Sequence, residues 1–404
     1  MGVNSLASPG YGFNDAAVLL TSIVQQATGQ QVLTPINLQD FASIGTTALQ
    51  AGYDPLLNAI SVVLGKTIFS IRPYSERFGG LRADALRWGN HVRKLKLADA
   101  EFESDQRYYE ATSDFWDDGD SADMYTIKKP KPVQLNFYGQ NVWQDHVTVY
   151  RDQLDVAFHD PDELMQFTSM IMTNMSNRMA QARETCSRAA LGNFIAAKNI
   201  LGAGHVIHLV TEYNSQTGSN LTATTVMQPA NYATFIRWLA GYIKTLSRRM
   251  EERSNLFQVN ITGKVVNQHT PRDRQKLYLL ADYVNRMDAE VLSTTYNEQY
   301  LGIGDFEEVS FWQSIGSPDE LKISPAYMNT SGVIVNGAAQ TMSKVFGVLF
   351  DEEAVMTQEV NQWNAPTPFN VAGGYTNFYF HKSDRYLNDF SEKGVVLLLD
   401  EAGA

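Results

Sequence analysis

The segment Gly65-Lys66-Thr67 matches the end of a phosphate-cradling loop, in which backbone N–H groups and a lysine surround the phosphates. Such a loop also needs a glycine five residues before Gly65, and that position is Ile60, so a nucleotide site is not supported. His205 and His208 flank Val206-Ile207. Residues three apart on a strand point to opposite faces, so the two imidazoles are expected to be structural and not to share a metal ion. Asp114, Asp117, Asp118, Asp120 and Asp123 surround Gly119 without the ligand spacing or closing glutamate of a calcium loop. They read as a solvated tip, able at most to attract an adventitious divalent cation. Met165, Met170, Met172, Met175 and Met179 have the composition of a pliant binding groove, but their helical spacing favours core packing. Cys186 lies mid-helix on the expected buried stripe, which argues against a thiolate nucleophile, and no Gly-x-Ser-x-Gly elbow occurs. A basic cluster, Arg82, Arg87, Arg93, Lys94 and Lys96, precedes the acidic tip. Solvation accounts for such charges, but opposite clusters on one arm also suit charge complementarity between copies of the chain. Arg93, Lys94, Lys96, Asp117, Asp118, Asp120 and Asp123 are therefore the candidate inter-subunit contacts, and no catalytic, cofactor or metal set emerges.

The elements carrying these residues follow from periodicity. Residues 1–30 give a Gly/Ser/Pro-rich stretch and then Ala16, Val18, Leu19, Ile23 and Val24, one small amphipathic helix ending at Gly29. Asn37 and Asp40 form an acidic capping pair before Phe41, and Asp54-Pro55 opens another helical segment. Each piece is shorter than the ~12–15 residues an isolated helix needs, so each must dock on something else. From about Lys66 to Asp155, alternating stretches such as Thr67–Arg72 and Val133–Phe137 predict a long projecting hairpin with the acidic run at its tip. Asp160-Pro161-Asp162-Glu163 then supplies a cap, a proline at the first helical position and a carboxylate three residues on. Apolar or small residues recur at steps of three or four from Leu164 to Ala197, a helix of roughly 38 residues and about 55 Å. Arg178, Arg183, Glu184 and Arg188 forbid a membrane span there. After a polar boundary at Asn214–Thr225, Pro229 to about Arg253 restores a helix with Phe235, Ile236, Leu239, Ile243, Leu246 and Met250 inward. Leu277–Ala281, Val309–Trp312, Val333–Val335 and Val345–Phe350 read as buried strands separated by short helices, and Phe378–Phe380 with Val395–Leu399 as closing strands.

Composition narrows the function classes. Lys plus Arg number 32 against 44 Asp plus Glu, and a net charge of -12 repels a phosphate backbone, so a dedicated nucleic-acid binder is not expected. The single cysteine cannot form an intrachain disulfide, which fits a reducing cytoplasm. Residues 1–6 match neither a secretion signal nor a myristoylation pattern, and no apolar run of 18 residues occurs, so no membrane association is expected. At 404 residues with 44% hydrophobic content the chain can bury one large core or several smaller ones.

The order of docking arm, long hairpin, capped spine helix, mixed lobe and closing strands resembles the major capsid proteins of tailed bacteriophages, which share the Hong Kong 97 fold. Three stretches resemble the phi-29-type podophage capsid proteins in particular: Val32–Pro35 running into Phe41–Gly45, Leu277–Asp282 followed by Tyr300-Leu301-Gly302, and Val348–Met356 with its acidic turn. The resemblance covers nearly the whole chain. It implies an α+β Hong Kong 97-like fold divided as an N-terminal arm (1–65), an extended loop (66–155), a peripheral domain with the spine helix (156–225), an axial α/β domain (226–375) and return strands of the peripheral domain (376–404). It further implies a non-enzymatic, cofactor-free subunit that self-assembles as pentamers and hexamers into an icosahedral head. Portal and scaffolding proteins are the implied partners, with double-stranded DNA enclosed but not specifically bound. Assembly would take place in the host bacterial cytoplasm and end in the virion. An encapsulin-like nanocompartment shell, an α/β enzyme, or a phage tail or portal component are the alternatives.

Overall fold

The computed structural model describes residues 13–28, 77–83, 91–99, 129–138, 140–151, 161–202, 204–292 and 306–401, with single positions at 35, 40, 41, 43, 44, 59, 125 and 127. The acidic run 114–123, the expected strand at Thr67–Arg72, most of the expected arm and the resembling stretch at 300–302 lie outside the described residues. The chain forms two compact units: Met1–Trp88, Gln140–Ser187 and Gln358–Arg385 make the first, and Gly89–Gly139, Arg188–Thr357 and Tyr386–Ala404 the second.

In the first unit, helix α1 (Phe13–Thr28) occurs where the amphipathic pattern placed one, with Ala17, Leu20, Ile23 and Val24 buried. A three-stranded sheet joins β3 (Asn141–Tyr150), β12 (Val355–Pro366) and β13 (Tyr375–Asn388) in the order β12-β13-β3. β13 and β3 run antiparallel from Tyr375↔Tyr150 to Asp384↔Asn141. The N-terminal part of helix α2 (Pro161–Leu201) belongs to this unit and meets the sheet through polar groups. Arg178 pairs with Asp145 at 2.8 Å and Arg183 with Glu359 at 2.8 Å. Met175 and Met179 are buried, as core packing requires. Cys186, expected on the buried stripe, is instead half-buried, and Asn141 Nδ2 donates to its Sγ at 3.7 Å. The buried positions beside it are Ser187 and Leu191, because the stripe drifts around the helix as it leaves the first unit.

The second unit is built on a five-stranded sheet of order β4-β14-β11-β5-β6, using β4 (Val206–His208), β5 (Gln275–Leu280), β6 (Glu307–Val309), β11 (Val345–Asp351) and β14 (Gly394–Leu398). β11 pairs antiparallel with both β14 and β5, while β14–β4 and β5–β6 are parallel. Every residue of β11 and β14 is buried, the signature of strands covered on both faces. One face meets helices α3 (Leu209–Thr217), α4 (Ala223–Val226) and α5 (Pro229–Glu251) in a core holding Phe235, Leu239, Ile243, Leu246, Leu277, Leu279, Leu349, Val395 and Leu397. Pro229 opens α5, and Arg248 and Arg249 lie in its last turn, where cations oppose the helix dipole favourably. On the other face the Phe194 ring of α2 packs 5.7 Å from both Phe350 and Phe390. Gly347 is required where β11 is squeezed: a Cβ there would lie 2.6 Å from the Tyr278 carbonyl oxygen.

Further expectations are corrected. The stretch Val333–Val335, expected buried, lies open, with Val333 55% and Ile334 60% exposed. Val309–Trp312 is a strand only as far as Val309; beyond it Arg188 donates to the Phe311 carbonyl, and Trp312 Nε1 donates to the Val345 carbonyl at 2.8 Å, so that stretch is held by side chains instead of a ladder. The expected short helices between strands are absent from residues 306–350. That region consists of turns and three-residue strands, β7 (Leu321–Ile323), β8 (Ala326–Met328), β9 (Ile334–Asn336) and β10 (Gln340–Met342). Between β5 and β6 the expected short helix does occur, as α6 (Ala281–Leu292). Among the described residues no helix is long and apolar enough to cross a membrane.

Candidate functional site

The second unit also contains a two-stranded antiparallel ribbon, β1 (His91–Leu97) and β2 (Pro132–Tyr138), in register from His91↔Tyr138 to Leu97↔Pro132. Alternation sends successive side chains to opposite faces of the ribbon. Val92, Lys94 and Lys96, opposite Phe137, Leu135 and Val133, form the sheltered face. Arg93, Leu95 and Leu97, opposite Asn136, Gln134 and Pro132, form the open face. Leu95 is 63% exposed, Leu97 59% and Tyr138, at the end of the ribbon, 71%.

The sheltered face is anchored by charge. Lys94 Nζ lies 3.0 Å from Asp389 Oδ2 and 2.6 Å from Glu353 Oε2, and it also pairs with Glu392. Lys96 Nζ lies 2.6 Å from Glu392 Oε1 and donates to Ser391 Oγ at 2.8 Å. Burial alone would lower the Lys94 pKa, but Asp389, Glu392 and the hydrogen bonds to Glu353 and Glu392 outweigh it and hold the ammonium above the ordinary lysine value. Burial pushes Glu353 upward, yet Lys94 and Arg274 bring its carboxyl below the usual range. Asp389 is oriented by its own turn, accepting from Ser391 N–H at 2.9 Å and Ser391 Oγ at 2.5 Å. At the neck of the ribbon, Asp99 accepts from Asn267 N–H at 2.7 Å and pairs with Arg253 at 2.6 Å.

Lys198, on α2, is fully buried. Its Nζ donates to the Phe257 carbonyl at 2.7 Å and lies 3.4 Å from His205 Nδ1. Burial lowers its pKa to about 7 against the opposing pull of Asp389 and Glu392. Burial and then the Lys198 charge lower His205 to about 4. His208 has a different partner, Asp400 at 2.6 Å, so the two histidines do not converge.

Of the residues singled out by charge, Arg93 therefore faces solvent, while Lys94 and Lys96 are engaged within the chain; Asp117, Asp118, Asp120 and Asp123 lie outside the described residues. Sequence reasoning did not find Glu353, Asp389, Glu392 or Lys198. The local signals were an Asp-x-Ser-Glu turn at 389–392 and a lysine directly after the apolar run Phe194–Ala197.

A family model described as "Phi29-like phage major capsid protein" matches residues 20–397. Comparison with curated proteins gives no match. Among solved structures, a chain of the capsid of Staphylococcus phage Andhra superposes with a TM-score of 0.51 at 11% identity, covering 81% of this chain and 86% of that one. A chain from the structure of the head fiber and inner core protein gp22 of native bacteriophage P68 gives 0.51 at 9% identity, covering 81% and 85%. At such identities these likenesses concern the fold, which is that of the phage capsid structure. The family match favours a phage shell over the nanocompartment and enzyme alternatives.

Proposed function

The chain belongs to the Phi29-like phage major capsid protein family, and from that premise we propose that its ribbon is a contact between copies in the assembled shell. A capsid-forming role follows from the family, and with it a place in the virion. On this reading subunits assemble as pentamers and hexamers into an icosahedral head around double-stranded DNA, in the host bacterial cytoplasm, with portal and scaffolding proteins as partners. The observation that carries the ribbon's role is its open face. Leu95 and Leu97 are more than half exposed on a two-stranded element whose other face is fixed by ion pairs. A two-stranded ribbon alone is marginally stable in water, so the charged anchor keeps an apolar, cationic-edged face presented. Arg93 at its edge suits an acidic stretch on a neighbouring copy, for which Asp117, Asp118, Asp120 and Asp123 are the candidates. The net charge of -12 accords with a container that encloses DNA without gripping it. The work of such a subunit is assembly; it needs no catalytic group or cofactor.

The test is expression of the full chain, alone and with its neighbouring genes, followed by sedimentation and negative-stain imaging. Closed shells or capsomer-sized rings are expected, without enzyme cargo. A stable monomer under every condition overturns the reading. In a second arm, Leu95→Lys with Leu97→Lys should abolish shells and leave a folded subunit by circular dichroism; shells assembled at wild-type yield would remove the ribbon from the interface.

A further inference from the structure

The apolar run Val333-Ile334-Val335 has the composition of a buried strand, yet Val333 is 55% and Ile334 60% exposed in the single chain. Aliphatic side chains presented together on an ordered element mark a surface that something else covers. On the premise that the ribbon is a contact between copies, we infer that this strand is the far end of the same contact. One surface, running from Leu95 through Val265 to Ile334, is covered by a second copy of the chain.

A series of contacts within the second unit joins the two ends. Ala98 N–H donates to the Lys131 carbonyl at 2.9 Å, which carries the ribbon's pairing one residue past Leu97. Alternation then puts Asp99 on the side of Leu95 and Leu97, the open face. Asp99 N–H donates to the Val265 carbonyl at 3.0 Å, and its carboxylate holds the Asn267 N–H and Arg253, so the segment 253–267 adjoins that face. Val265 is 42% exposed there. The turn just before Val265 reaches the β8–β9 hairpin: Thr262 N–H donates to the Thr330 carbonyl at 2.9 Å, and a Cβ on Gly332 would lie 3.2 Å from Ile261 Cδ1.

Both stretches are braced before any partner arrives. Ser254 and Gln268 exchange backbone hydrogen bonds at 2.9 and 3.1 Å, and Lys264 N–H donates to the Ile261 carbonyl at 2.9 Å. In the hairpin, Asn329 Oδ1 accepts from the Ser331 and Val333 N–H groups, both at 3.0 Å, and Gly332 takes the φ of 76° that the turn requires. Asn193 of α2 fixes β8 through the Ala326 backbone, donating at 3.0 Å and accepting at 2.8 Å. A backbone already fixed loses little further entropy on contact.

Area and charge identify the occupant. Two paired strands of 7 residues make a face of roughly 24 by 10 Å. That is well short of the ~800 Å² per partner of a lasting interface, so the contact must spread onto adjoining surface. The stretches 91–97, 132–138, 253–268 and 326–342 contain no aspartate or glutamate, although the chain carries 44. The carboxylate at the junction, Asp99, is engaged by Arg253 at 2.6 Å. A second copy, with its net charge of -12, meets no carboxylate from these stretches and finds Arg93 and Lys264 exposed. On an acidic chain, an apolar surface without acids is where like-charged copies can meet.

The experiment replaces Ile334 by the photoreactive residue p-benzoylphenylalanine in the full chain, expressed with its neighbouring genes, and irradiates the assembled shells. A cross-linked band at twice the chain mass is expected. No cross-link, or an adduct to a different protein alone, overturns the inference. The same probe at Leu95 tests the ribbon separately: a dimer from position 95 but not from 334 leaves the ribbon's role standing and removes the hairpin from it, whereas failure at both removes the ribbon as well. As a second measurement, Val333→Lys with Ile334→Lys should leave the circular dichroism and thermal midpoint of the unassembled subunit unchanged. Shell yield should fall about tenfold or more, because two ammoniums would be desolvated on contact. Shells at wild-type yield from that variant overturn the inference.

Discussion

The carboxylates that anchor the ribbon show why single residues carry large effects here. Asp389 is almost fully buried and holds Lys94 at 3.0 Å. Removing one partner of a buried pair leaves the other uncompensated, so Asp389→Ala should lower unfolding stability by about 3–5 kcal/mol in chemical denaturation. Phe194→Ala, which removes a ring lodged between Phe350 and Phe390, should cost about 3–5 kcal/mol through the cavity left behind. The Lys94–Glu353 pair also sets a pH dependence. The folded Glu353 pKa lies below its unfolded value, so its contribution is present above the unfolded value and lost as pH falls through the folded one. Lys94 is raised, so its contribution holds below the unfolded lysine value and is lost only in strong alkali. The thermal midpoint of the unassembled subunit should therefore fall on acidification into the carboxylate range, and Glu353→Gln should make that fall shallower. None of this pairing was legible in the sequence: Lys94 and Asp389 are 295 residues apart, and no local pattern links them.

Elements were far more legible than pairings. The proline at the first helical position and the recurrence of apolar residues placed α2 from Pro161, and the same logic placed α5 from Pro229. Runs of β-branched and aromatic residues located β5, β11 and β14 because strands buried on both faces need them throughout. Of the three-residue strands, β9 was anticipated within one residue, while β7, β8 and β10 escaped because three residues are too few to show a period of two. Within β11 the pairing shifts between Val345 and Gly347, which explains how Phe346 and Leu349, three apart, both enter the same core. Gly347→Val should disrupt this strand, since its Cβ would meet the Tyr278 carbonyl and the Leu279 side chain. Loss of soluble expression, or a thermal midpoint lowered by ten degrees or more, is the expected result.

At the scale of the whole molecule, the order of elements carried the resemblance, and the family match over 20–397 agrees with it. For the candidate contact surface, charge pattern pointed to the strand 91–97 but could not tell its open face, with Arg93, from its anchored one, with Lys94 and Lys96. That distinction depends on what lies beneath, which is chain from far along the sequence. The sheet order has a consequence for biosynthesis. β14 stands between β4 and β11, so the sheet has a missing slat until residues 394–398 emerge. A nascent or prematurely stopped chain ending before Gly394 cannot close this unit, and it also lacks the 389–392 anchor when it ends earlier still. Ribosome-bound and truncated chains would thus be barred from the lattice by their own incompleteness, giving the growing shell a proofreading step that requires no separate inspector.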